Sequence, residues 1–167
     1  MPKKPEMSIG LEDGTMAPNT KVKTADCTVT PLLEMAGEKG LVVAFVRSLG
    51  WCPFCKKQIR LLDEVEDQIA AEGWQVVSLT YDAPDVLQAF RAKTGVSIPL
   101  LSDEGSAAID AFGLRNHGVK PGGKSVGVPH PAVVLIGKDG TILKTLRHSG
   151  YQTRPSAEEV VDAIKSL

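Results

Sequence analysis

The sequence predicts an α/β fold of three layers, with helices on both faces of a mixed, mostly parallel central sheet. Apolar, largely β-branched runs at 41–46, 74–80 and 132–136 read as strands buried on both faces. Amphipathic stripes between these runs read as the helices that cover the sheet. The Asp139-Gly140 turn adds an antiparallel pair at one end.

Residues 1–19 are polar and rich in Pro and Gly, and read as an irregular lead-in; residues 20–167 read as a single domain. Short strands at 21–23 and 28–30, turning at Ala25-Asp26-Cys27, form an N-terminal β-hairpin extension. The 41–46 strand follows. From Pro53 to about Ala71 the apolar positions Cys55, Ile59, Leu62, Val65 and Ile69 recur every three or four residues, one stripe of one helix. Pro53 suits its first position and Gly73 its stop. After the 74–80 strand come a helix over 85–93 ending at Gly95, an extended piece at 99–101, and a helix over 106–112 closed by Gly113. Residues 114–130 show no periodicity, and a connection of that length is usually functional. A strand at 132–136, the turn and a returning strand at 141–146 follow. Ser156-Ala-Glu-Glu159 is a capping box for the last helix, with Val160, Val161 and Ile164 on its apolar face.

Hydrophobic residues at 43% and charged residues at 23% are ordinary for a globular chain of 167 residues and exclude disorder as the main state. No apolar run approaches the roughly 18 residues of a membrane span. Nineteen basic and twenty acidic residues give a net charge of −1, which argues against nucleic acid or an anionic membrane as partner. The N-terminus has no apolar run of the secretory kind, so a reducing, cytoplasmic compartment is expected.

In such a compartment Cys52-Pro53-Phe54-Cys55 points to redox or metal chemistry rather than a structural crosslink. The motif opens a helix, where free N–H groups and the positive end of the macrodipole favour a thiolate. Thiols so placed fall from about 8.5 to between about 3.5 and 7.5, and Lys56 and Lys57 add positive charge nearby. Cys52, in the cap position, is expected to be exposed, and Cys55, on the apolar stripe, buried. An outer attacking thiolate backed by an inner thiol suits dithiol–disulfide exchange.

The competing readings are a zinc half-site and two inert core cysteines. Zinc sites want a second C-x-x-C or an H-x3–5-H, and His117, His130 and His148 are scattered; no metal or cofactor is expected. Residues 118–125 match the letters G-x-x-x-x-G-K-S, but no strand precedes them and Val126-Gly-Val-Pro cannot start a helix, so they are not read as a phosphate cradle. Cys27 reads as a free, partly buried thiol, with a resolving role as the sharper alternative. His130 reads equally as lining the thiol site or as a polar loop residue.

Trp51-Cys-Pro-Phe-Cys55 after a buried strand resembles the thioredoxin fold. The stretches Ser78-Leu-Thr-Tyr-Asp82, Pro99-Leu-Leu-Ser-Asp103 and Val134-Leu-Ile-Gly-Lys-Asp-Gly-Thr-Ile142 are similar to the peroxiredoxin branch, the alkyl hydroperoxide reductase/thiol-specific antioxidant family. The resemblance implies a thioredoxin-like α/β/α sandwich and a thiol-dependent oxidoreductase. Its substrate would be a peroxide or a disulfide, its electron donor a thioredoxin or glutathione system, and its assembly a homodimer. In this frame Cys52 and Cys55 are catalytic, while Trp51, Pro53, Phe54, Lys56, His130 and Pro131 line the site. Two departures stand out: Cys52 takes the place of the family's Thr or Ser, and Pro131 that of its late-strand Arg. Thioredoxin-like reductases keep a cis-proline at the Pro131 position. The alternative is an idle thioredoxin-fold adaptor that binds through the 114–130 loop.

Overall fold

The computed structural model describes residues 9–148 and 153–167; residues 1–8 of the expected lead-in lie outside the described residues. In chain order the elements are β1 (Lys21–Thr24), β2 (Val29–Pro31), a 3-10 turn (Leu32–Met35), β3 (Gly40–Phe45), α1 (Pro53–Glu64) and α2 (Glu66–Ala71). They continue with β4 (Trp74–Thr80), α3 (Pro84–Thr94), β5 (Leu100–Ser102), α4 (Ala107–Ala111), β6 (Ala132–Gly137), β7 (Ile142–Leu146) and α5 (Ala157–Lys165).

The strands form one seven-stranded mixed sheet in the order β2-β1-β5-β4-β3-β6-β7. Parallel pairing is confined to β3–β4 and β4–β5, so the expectation of a mostly parallel sheet is corrected. Those two connections run through α1–α2 and through α3. The β1–β2 and β6–β7 hairpins and the long return into β6 make every other pairing antiparallel.

The pleat divides the core. Val42, Ala44, Val133 and Leu135 face α1, α2, α3 and α5, in one cluster with Cys52 and Cys55. Leu41, Val43, Phe45, Ala132 and Val134 face the opposite layer, where α4 and the 3-10 turn pack. Gly40 sits where three elements meet. A Cβ there would lie 2.4 Å from the Ile136 carbonyl oxygen and 2.5 Å from the Trp74 ring.

The helix expected from Pro53 to Ala71 is two helices. Val65, at φ −105° and ψ 9°, ends α1 and caps α2. At this point the Asp63 carboxylate is drawn out to accept from the Ser97 and Ile98 N–H groups at 2.8 and 3.1 Å. The apolar stripe runs through the break because both helices bury the same face against the sheet. The capping box of α5 is present, with Ser156 Oγ accepting from the Glu159 N–H. Cys27 is exposed in the β1–β2 turn at φ 70°, not partly buried as expected: the tight turn points it outward. Residues 118–125 form turns with no helix after them.

Candidate active site

β3 ends at Phe45, and residues 46–52 carry the chain across the end of the sheet to the start of α1. Asp82, buried just beyond β4, fixes this passage. Its carboxylate accepts from Ser48 Oγ (2.8 Å), the Leu49 N–H (2.8 Å) and Thr80 Oγ1 (2.7 Å). Ser48 Oγ in turn accepts from the N–H groups of Gly50 and Trp51 at 2.9 and 3.3 Å. The loop before the cysteines is thus strapped to the neighbouring strand.

Cys52 is the N-cap of α1, with Pro53 in the first turn, and its Sγ accepts from the Cys55 N–H at 3.4 Å. The thiol is pushed down to about 5. The largest cause is the hydrogen bond from the Cys55 thiol; the Cys55 N–H and the cations Arg154 and Arg47 add to it against the cost of burial. Cys55 goes the other way. Burial, then its bond to Cys52, raise it well above the usual thiol range, although its Sγ accepts from the Arg47 N–H at 3.2 Å and Arg154 Nη2 at 3.3 Å. The pair therefore divides into an anionic and a neutral sulfur at neutral pH.

The expected exposure of Cys52 is corrected: only 1% of its surface reaches solvent. The guanidinium of Arg154, from the segment before α5, lies over both sulfurs, with Nη2 3.7 Å from Cys52 Sγ. A second bond, from Nη1 to Gln58 Oε1 at 2.9 Å, ties Arg154 to α1.

The other expected lining residues divide. Trp51 is half-buried beside the pair; its Nε1 donates to Tyr81 Oη at 2.8 Å, and the Arg47 and Lys124 cations each sit 4.8 Å from its ring centroid. Tyr81 donates in turn to the Lys124 carbonyl, and Arg47 Nη2 to Ser125 Oγ at 3.2 Å, so the 114–130 loop docks onto this corner. Phe54 borders a cavity of about 310 Å³ with Gln58, Leu61, Arg154 and Pro155. Pro53 and Lys56 face away, into a groove between α1 and α3. The helical period puts residues 53, 56 and 60 on one side of α1 and residues 55, 58 and 62 on the other, so Lys56 is corrected: the cations acting on Cys52 are Arg154 and Arg47.

Pro131 and His130 are parted by the pleat. Phe45 pairs with Ala132 and Val133 lies in the cysteine-side cluster, so Pro131, two before it, shares that face. No cis peptide bond occurs among the described residues, so Pro131 does not share the cis form that thioredoxin-like reductases keep at this position. His130, one position earlier, lines a cleft on the other face with Asp110, Arg115 and His117. Its ring is held below the usual histidine range by burial first, then by Arg147 and His117. It is not placed against the sulfurs.

Sequence reasoning missed Arg154, Arg47 and Gln58. Gln58 left a signal, an amide among the apolar positions of α1. Arg154 left only its place just before a capping box.

The chain is similar to the thiol-disulfide oxidoreductase ResA of Halalkalibacterium halodurans, with 26% identity over 153 residues, covering 91% of this chain and 77% of the relative. It is 27% identical over 132 residues to the peroxiredoxin Bcp of Escherichia coli, covering 79% and 83%. Its fold matches the solved structure of peroxidoxin BcpB from Mycobacterium tuberculosis at a TM-score of 0.80 and 16% identity, covering 96% and 99%. A peroxiredoxin-like protein from Aquifex aeolicus matches at 0.79 and 22% identity, covering 95% and 89%. The family model for AhpC/TSA spans residues 14–145, and on that span, with the thioredoxin-like sheet and the cysteine pair at its helix end, the chain belongs to the AhpC/TSA family.

Proposed function

We propose that this thiol oxidoreductase reduces a peroxide or a disulfide by cycling Cys52 and Cys55 between dithiol and disulfide, with Cys52 as the attacking thiolate. The observation that carries the reading is the geometry of the pair. Cys52 caps α1 and accepts from the Cys55 N–H, and Arg154 Nη2 lies 3.7 Å from Cys52 and 3.3 Å from Cys55. This arrangement lowers the first thiol to about 5 while burial raises the second. On a peroxide, Cys52 attacks one oxygen and the O–O bond breaks. The attacked oxygen keeps its hydrogen and stays on the sulfur as a sulfenic acid, and the alkoxide or hydroxide that leaves takes a proton from solvent. Cys55 then attacks Cys52, loses its own proton and expels water, which leaves the disulfide. On a disulfide, Cys52 attacks one sulfur and expels the other as a thiolate, giving the mixed disulfide; Cys55 then attacks Cys52, loses its proton and expels the second substrate thiol. The route proposed for the acceptor is the cavity bordered by Phe54, Gln58, Leu61 and Arg154, because Arg154 lines it and also reaches Cys52.

A thiol system, thioredoxin or glutathione, returns the two electrons. A homodimer in a reducing cytoplasm completes the reading, on cysteine usage and family resemblance. Among the described residues no helix is long and apolar enough to cross a membrane.

Mass spectrometry after mild peroxide tests the cycle. The expected result is loss of two hydrogens from the peptide spanning residues 52–55, and a sulfenic acid on Cys52 in the Cys55→Ser variant. Turnover that survives Cys52→Ser and is lost only in Cys55→Ser would reverse the assignment of the nucleophile. No loss of hydrogens in that peptide would remove the cycle.

A further inference from the structure

On the inner face of α1, between Cys55 and Leu62, stands a glutamine where the apolar stripe calls for a hydrocarbon. Gln58 is 5% exposed. Burying an amide is unfavourable unless its polar atoms are paired, and here only half of it is. Oε1 accepts from Arg154 Nη1 at 2.9 Å, while Nε2 is buried without a hydrogen-bond partner among the described residues. A Leu or Met would fill the same space without that penalty. The single hydrogen bond gained is to the guanidinium whose other nitrogen reaches both sulfurs, at 3.7 Å from Cys52 and 3.3 Å from Cys55.

We infer that Gln58 is a positioning residue: its amide oxygen holds the Arg154 guanidinium in the plane and at the reach that put Nη2 over the Cys52–Cys55 pair. The inference rests on Cys52 being the nucleophile. Arg154 arrives on the segment before α5, and a long arginine side chain has many rotamers to lose. The planar fork gives one edge to Gln58 and the other to sulfur, so fixing the first fixes the second. Gln58 lies one helical turn after Cys55, on the same rigid element as the sulfurs. The spacing of clamp and thiols is therefore set within α1, and the Gln58 bond refers the guanidinium to that same helix. The groups bearing on Cys52 are the Cys55 thiol and N–H, Arg154 and, from the passage after β3, Arg47. Lys56 borders the groove on the outer side of α1, and Lys57 borders both that groove and the cavity that Gln58 and Arg154 line.

The test is a pH titration of thiolate ultraviolet absorbance on the reduced full chain carrying Cys27→Ser, with Gln58→Met, Arg154→Gln and both together. Met keeps the length and burial of Gln and removes only the acceptor; Gln58→Leu serves the same purpose should the Met variant not fold. Gln58→Met is expected to move the Cys52 midpoint up by about one pH unit. In the Arg154→Gln background it should change nothing further, because the clamp then has nothing to hold. Its resistance to urea should equal or exceed the parent's, since the unpartnered Nε2 is gone. A Gln58→Met midpoint equal to the parent's, or a further rise when the two changes are combined, overturns the inference. The titration uses no acceptor, so it stands or falls apart from the disulfide cycle: a chain that fails to form the disulfide under peroxide can still show the clamp, and the reverse.

Discussion

A thiol removed from water is ordinarily driven to its neutral form, and Cys55 obeys that rule. Cys52 is as deeply covered yet is pushed the other way, because what covers it is a cation and what lies beneath it are hydrogen-bond donors. Cys55 supplies both an S–H and an N–H, and Arg154 supplies charge. Removing that charge with Arg154→Gln is expected to raise the Cys52 midpoint by about one to two pH units, read by thiolate absorbance. The sign follows from the chemistry: a cation favours the anionic sulfur, so its loss requires a higher pH to reach the same thiolate fraction. His130→Ala, by contrast, is expected to leave that midpoint unmoved. His130 lies on the far side of the sheet, a consequence of its being one residue out of step with Pro131. A shift comparable to that of Arg154→Gln would place the imidazole in the site after all.

The loop and helix that hold the cysteines owe their placement to Asp82. One buried carboxylate gathers two hydroxyls and a backbone N–H, and so joins the end of β4 to the passage between β3 and α1. Asp82→Ala is expected to destabilise the chain by about 3 kcal/mol in urea unfolding, because it strands three buried donors. It should also slow Cys52 alkylation, because the loop loses its strap; unchanged stability would show the network to be solvated. Much of this neighbourhood was legible in local sequence. Pro53 at a helix start and the Ser156–Glu159 capping box are local signals, and both helices begin where those residues put them. The break at Val65 was not legible, since periodicity reports which face is buried and not whether the axis continues. Beside the break, the Asp63 carboxylate is held by residues 97 and 98, a contact across the fold. Exposure of Cys52 was misjudged for the same reason: cap position says which donors reach a sulfur, and nothing local says what lies on top of it.

The molecule as a whole brings together parts that its sequence keeps far apart. Arg154 is 99 positions from Cys55, and it meets the sulfurs because α1 and α5 pack on the same face of one sheet. Buried strand runs and amphipathic stripes foretold the layers. The number of parallel pairings escaped them, since β-branched runs look alike in parallel and antiparallel central strands. Gly40 shows how tightly the layers close, and Gly40→Ala is expected to lower stability by about 2 kcal/mol in thermal unfolding, through overlap with the Ile136 carbonyl and the Trp74 ring. Sheet, strap and overlying arginine all serve the charge on one sulfur. Titrating the reduced Cys27→Ser chain by thiolate absorbance reads that charge. A midpoint near 5, with Cys55 still protonated through neutral pH, is the predicted result; a midpoint near about 8.5, the value of an unassisted thiol, would contradict it.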